Sequence, residues 1–320
     1  MTFTGCTKTN DNKDNKSLIV QESNSNNTKV GSTDNVDTSK SENTVIDESG
    51  NNEINNSDTN VINDSETTTP APLTSGTSAK ETIVLEDLSE YFDNYDGCFV
   101  MFDKNKNQYT IYNEEKSKKR ISPCSTFKIM NSLIILETGV IEDENTIIKW
   151  DGTEYPIETW NSDQTLQSAI TNSVVWVYRL LATKVGEKDM QEYLDLVDYG
   201  NNDISGGIDK FWLQSSITIS PLEQITILRR LYNEELPFSK RSMDIVKKII
   251  VLTDENNIKL SGKTGSGKDN LGWFVGYIEK NDNVYYFATN IETKDNATDK
   301  ADGPTAKQIS LNILSDKGLY

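Results

Sequence analysis

Ser125-Thr126-Phe127-Lys128 sets a hydroxyl and an amine three residues apart, which puts both on one face if the segment is helical. Such a pair can make a nucleophile of the hydroxyl, with the amine taking its proton. A capping serine followed by a solvated lysine has the same spacing. The apolar flanks Phe127, Ile129 and Met130 favour the chemical reading, because a lysine among them enters a partly dry pocket and loses its proton more readily. Lys263-Thr264-Gly265, between Gly262 and Ser266-Gly267, reads as a strand edge of small residues. A substrate amide could pair along it while Lys263 supplies positive charge. Ser173-Val174-Val175 offers a hydroxyl able to relay a proton, and Val175 could keep the neighbouring pocket dry. An N-cap serine ahead of core valines is written the same way.

Composition narrows the chemistry. The 320 residues include no histidine, which removes Ser-His-Asp and Cys-His mechanisms and disfavours an ordinary hydrolytic zinc site. The net charge of -18, with no basic stripe, argues against nucleic acid and against an anionic membrane surface. Residues 1–80 carry Phe3 as their only aromatic, and twelve acidic against six basic side chains. So little apolar surface cannot offset the entropy of ordering a backbone, so 1–80 is expected to be a disordered polar stalk. Phe3-Thr4-Gly5-Cys6 resembles a bacterial lipobox, in which the cysteine is lipidated; Cys6 is either that site or an incidental residue of the tail. The remaining cysteines, Cys98 and Cys124, could be paired or could be two buried thiols.

The elements that must position these groups lie within 81–320. Residues 97–113 read as a hairpin, and a helix should open near Ser125 and stop at Gly139. A second helix covers Val174–Lys184. A third begins with the capping box Ser220-Pro221-Leu222-Glu223. Strands are predicted at Ile258–Thr264, Gly272–Glu279 and Val284–Ile291, followed by a helix at Ala306–Ser315. Strands at both ends with helices between them imply an α+β fold: a central, mainly antiparallel sheet closed by the two termini, flanked by helices, with an inserted helical lobe.

Ser-x-x-Lys, Ser-x-Val and Lys-Thr-Gly, in that order and 48 and 90 residues apart, resemble the motif set of the penicillin-recognising serine enzymes. Val175, rather than Asn, in the middle motif is similar to the class D (OXA-type) β-lactamases. So are Tyr199-Gly200-Asn201, Phe211-Trp212-Leu213 with Ser215, Ser122-Pro123-Cys124 ahead of Ser125, and Gly272-Trp273. The resemblance spans roughly residues 85–318.

That resemblance implies a serine β-lactamase/transpeptidase-like fold and a serine hydrolase. Ser125 would be the nucleophile, and Lys128, carboxylated by carbon dioxide to N6-carboxylysine, the base. Ser173 would pass a proton to the lactam nitrogen, and the Trp212 indole would steady the carbamate. Backbone N–H groups of Ser125 and Ser266 would hold the oxyanion, and Lys263 and Thr264 the substrate carboxylate. Val175, Tyr199 and Gly265 would complete the substrate wall. No separate cofactor or metal is implied beyond carbon dioxide on Lys128. The implied partners are β-lactam small molecules, outside the cytoplasm, with membrane attachment only through Cys6. One departure stands out: the family's carboxylate-gripping arginine is missing from Asp302–Gln308, where Lys307 could substitute. Three rivals remain. A β-lactam sensor would stay acylated, and such receptors carry membrane helices that this chain lacks. A cell-wall transpeptidase or carboxypeptidase would be expected to show Asn in the middle motif. A non-catalytic surface adhesin is the third.

Overall fold

The computed structural model describes residues 80–320 apart from Asp269 and Asn296. The stalk and the lipidation of Cys6 lie outside the described residues. The sheet has seven strands, and its sequence numbering is β1 (Thr82–Leu85), β2 (Tyr95–Asp103), β3 (Gln108–Tyr112), β4 (Val251–Glu255), β5 (Ile258–Ser266), β6 (Leu271–Lys280) and β7 (Asn283–Thr293). Their spatial order is β1-β3-β2-β7-β6-β5-β4, antiparallel except for the β1–β3 pair. The pairing of β2 with β7 joins the two ends of the domain, from Tyr95 opposite Thr293 to Asp103 opposite Tyr285. The expected α+β architecture is therefore present.

Both faces of the sheet are covered, which explains why Cys98–Phe102 is a continuous apolar run instead of an alternating one. On one face Val100, Phe102, Trp273, Val275, Tyr277, Tyr286 and Ala288 join the helical core. On the other, Phe99, Met101, Phe274, Ile278, Phe287 and Ile291 pack with Ala306, Ile309 and Ile313 of the last helix. The helices inserted between β3 and β4 are α1 (Glu114–Lys118), α2 (Lys128–Glu137), α3 (Leu166–Thr171), α4 (Val175–Val185), α5 (Glu187–Val197), α6 (Pro221–Tyr232) and α7 (Lys240–Ile249); α8 (Gly303–Asp316) closes the chain. No helix among the described residues is long and apolar enough to cross a membrane.

Two local starts differ from expectation. The helix predicted from Ser125 opens as a 3-10 turn, Cys124–Phe127, and becomes α-helical only at Lys128. Ser173 does not open a helix. It sits at φ 54° in the turn between α3 and α4, and Val174 occupies the cap position. The capping box of α6 is as read: Ser220 Oγ accepts from Glu223 N–H, and Ser220 N–H donates to a Glu223 carboxylate oxygen at 2.8 Å. Just before it, Ile219 and Ile121 exchange backbone hydrogen bonds, so this cap anchors the segment leading to Ser125. A Ser220→Ala variant is expected to lose about 1 kcal/mol of stability, read as a lower denaturant midpoint with an unchanged slope.

Candidate active site

The nucleophile turn is built into the core. Phe127, fully buried, stacks on Trp212 at 5.7 Å between ring centroids and meets Tyr199 and Phe211 edge-on at 5.4 and 5.1 Å. That aromatic floor fixes the neighbouring Ser125, which is 9% exposed, and Lys128, which is 0% exposed. Lys128 Nζ donates to Ser125 Oγ at 2.8 Å. No carboxylate pairs with the amine among the described residues. Beneath it lies the Tyr178 ring, 5.2 Å from Nζ, whose hydroxyl is bound to Ser132 Oγ at 2.9 Å. Burial, and secondarily the charge of Lys263, drive the Lys128 pKa well below that of an ordinary lysine. Both effects favour the neutral form of the amine, the form that a base requires.

β5 runs directly against this turn. A Cβ at Gly265 would stand 3.0 Å from Pro123 O and 3.3 Å from Ser125 N, so any side chain there would push the two segments apart by a few tenths of an ångström. Ser266 is exposed, and its Oγ accepts from Gly303 N–H at 2.9 Å at the start of α8. The backbone of Ser125 and the end of β5 are therefore neighbours, as an oxyanion site between them requires. Thr264 is half-buried beside them.

Lys263 is 6% exposed and donates to Thr264 O at 2.9 Å. Its pKa is lowered to about 8 by burial and by the charge of Lys307. The two lysines and Thr264 line one cavity of about 220 Å³, walled by Ile249, Ile250 and Phe274. Lys307, half-buried, thus stands where the missing arginine was expected to act. Ser173 and the half-buried Val175 stand at the α4 end of the lobe; Ser125 Oγ bonds to Lys128 and not to Ser173.

Tyr199, expected on the substrate wall, is 1% exposed and packs edge-on against Phe127, so it supports the nucleophile turn from inside the core. Trp212 is also fully buried, with its indole N–H lacking a hydrogen-bond partner among the described residues. Cys98 and Cys124 are free, buried thiols, their pKa values pushed up to about 12 and about 11 by burial. Two contributors escape the sequence reading, Tyr178 and Ser132, which back the amine. Ser122, read only as part of the resemblance, accepts from Gln214 N–H through its Oγ while donating to Trp212 O. The i, i+4 relation of Lys128 and Ser132 is the one signal that could have found either of the first two.

The chain matches the penicillin binding protein transpeptidase domain over residues 97–315. It is 43% identical over 235 residues to the probable β-lactamase YbxI of Bacillus subtilis, covering 73% of this chain and 85% of that protein. It is 41% identical over 241 residues to the regulatory protein BlaR1 of Bacillus licheniformis, covering 73% of this chain but only 39% of that longer protein. The structure is similar to the class D β-lactamase BAT-2, with a TM-score of 0.69 and 43% identity over 73% of this chain and 97% of the other.

Proposed function

Because the chain belongs to the penicillin-binding-protein transpeptidase family, in the group that holds class D β-lactamases and β-lactam sensor domains, we propose that it hydrolyses β-lactams through an acyl-enzyme on Ser125, with Lys128 as the base of both half-reactions. The observation that carries this reading is a fully buried lysine, hydrogen-bonded to the nucleophile and with no acidic partner among the described residues.

Lys128 takes the proton of Ser125 as Oγ attacks the lactam carbonyl carbon. Backbone N–H groups of Ser125 and Ser266 hold the developing oxyanion, each donor worth roughly 3 kcal/mol in such sites. As the C–N bond breaks, Ser173 delivers its proton to the leaving nitrogen and takes in its place the proton held by Lys128, which leaves the amine free to act again. Lys128 then removes a proton from water as the water oxygen attacks the ester carbonyl, and returns it to Ser125 Oγ as the ester C–O bond breaks, which restores both groups. Lys263, Thr264 and Lys307 hold the substrate carboxylate at the mouth of their shared cavity.

Carboxylation of Lys128 by carbon dioxide fits the residues present. Burial favours the neutral amine, the form that reacts with carbon dioxide, and the Trp212 indole N–H is a buried donor in need of an acceptor. The carbamate would supply an anionic base at the end of Lys128. Residues 1–80 and a lipidated Cys6 complete the proposal as a tether to the outer face of a bacterial membrane.

A sensor that stays acylated is the second reading, favoured by the 41% identity to BlaR1. The test is turnover of a chromogenic cephalosporin with and without bicarbonate, alongside mass spectrometry of the protein. Repeated turnover that rises with bicarbonate, with only transient acylation of Ser125, is expected. A stable one-to-one adduct without turnover would establish the sensor instead.

A further inference from the structure

One bridge joins the loop between α5 and α6 to the turn that follows β5. Gln214 follows Trp212 by two residues in the loop between α5 and α6, and its backbone is fixed by donating to Ser122 Oγ at 2.9 Å. Ser122 is itself held by the Trp273 indole, which donates to its carbonyl at 2.9 Å. From this anchored backbone the Gln214 side chain reaches the chain just past β5, where Lys268 N–H donates to its Oε1. The fit is close. A Cβ at Gly267 would lie 2.8 Å from the Gln214 amide carbon and 2.9 and 3.0 Å from its oxygen and nitrogen.

The connectivity of a β-lactam says which part of a substrate meets this bridge. In the ring system the carboxylate-bearing carbon is bonded to the lactam nitrogen, the nitrogen to the carbonyl carbon, and the carbonyl carbon to the carbon that carries the variable substituent. With the carboxylate at Lys263, Thr264 and Lys307 and the carbonyl between Ser125 and Ser266, that substituted carbon continues along β5 past Ser266. On that path it would meet Gly267 and Lys268, which the Gln214 side chain covers. We propose that Gln214 is a specificity-determining residue: clasped to Gly267 and Lys268, it closes the substituent end of the cleft and favours β-lactams with a slender acyl group over those with a branched one. The inference rests on the reading of Ser125 as the residue that β-lactams acylate.

The test compares two cephalosporins with the same nucleus, one carrying a linear arylacetyl group and one a branched oxyimino acyl group. Acylation of Ser125 is followed by mass spectrometry in the intact protein, Gln214→Ala, Gly267→Ala and the double variant. The ratio of second-order acylation constants, branched over linear, should rise about fivefold or more in each single variant. Gly267→Ala acts by pushing the amide away, so in the double variant its methyl meets no side chain and adds nothing further. A ratio that stays unchanged, or rises additively in the double variant, overturns the inference while leaving acylation intact. No acylation of the intact protein by either compound overturns the functional reading, and this inference with it.

Discussion

A Lys128→Ala variant is expected to lose turnover by about 10³-fold or more, and to accumulate whatever acyl-enzyme it still forms. General-base assistance is worth roughly 10²- to 10⁴-fold per step, and the reading of the site asks this one side chain to serve two steps. The magnitude also follows from the surroundings. Ser125 Oγ has Lys128 Nζ as its hydrogen-bond partner, and the chain contains no histidine to take over. Tyr178 cannot replace it, because burial raises its pKa and its hydroxyl is bound to Ser132. Stability should move little, since truncation leaves a cavity but also removes a polar amine from a site with no counter-ion. The loss should therefore appear in single-turnover acylation and deacylation at an unchanged melting temperature, and bicarbonate should have no effect on the variant. Turnover within tenfold of the parent protein would remove Lys128 from the mechanism.

How much of this was legible varies with the physical origin of each feature. The strands β5, β6 and β7 and the hairpin of β2 with β3 could be read because each is an apolar run bounded by turn residues. β1 and β4 could not. Thr82–Leu85 is exposed along its whole length, so burial imposes no pattern, and Val251–Glu255 is an edge strand with exposed Leu252, Asp254 and Glu255. The helices α5 and α7 do carry a readable period, with Met190, Leu194 and Val197 buried in one and Met243, Val246 and Ile249 in the other. Their charged remainder made them pass for connecting chain. In the site, the Ser125–Lys128 pair was legible because its geometry is local, one turn of helix. The approach of Gly265 to Ser125 and the clasp of Gln214 on Lys268 were not, since each joins residues far apart in sequence. The inward packing of Tyr199 on Phe127 was not legible either, since a motif position does not say which way a side chain faces.

The other large effect concerns pH. Lys263 must be charged to attract a carboxylate, and its pKa of about 8 lies below that of an ordinary lysine because it is buried beside Lys307. Below about pH 8 the ammonium is present; above it the proton leaves, so kcat/KM should fall about tenfold per pH unit beyond that point. Substrate binding brings a negative charge that favours the ammonium, so the same limb in kcat should lie at higher pH than in kcat/KM. Lys263→Arg keeps its charge at any accessible pH and should carry the plateau past pH 8, whatever its height. Lys307→Ala removes the repelling neighbour, which should raise the pKa of Lys263 and shift the limb upward while weakening carboxylate capture. Lys263→Ala should cost roughly 10- to 100-fold in kcat/KM, the worth of a charged hydrogen bond. It should also move the acid limb up, because the charge that helps to strip the proton from Lys128 is gone. An alkaline limb that survives unchanged in Lys263→Arg would assign the titration to another group and leave Lys263 without a role in capture.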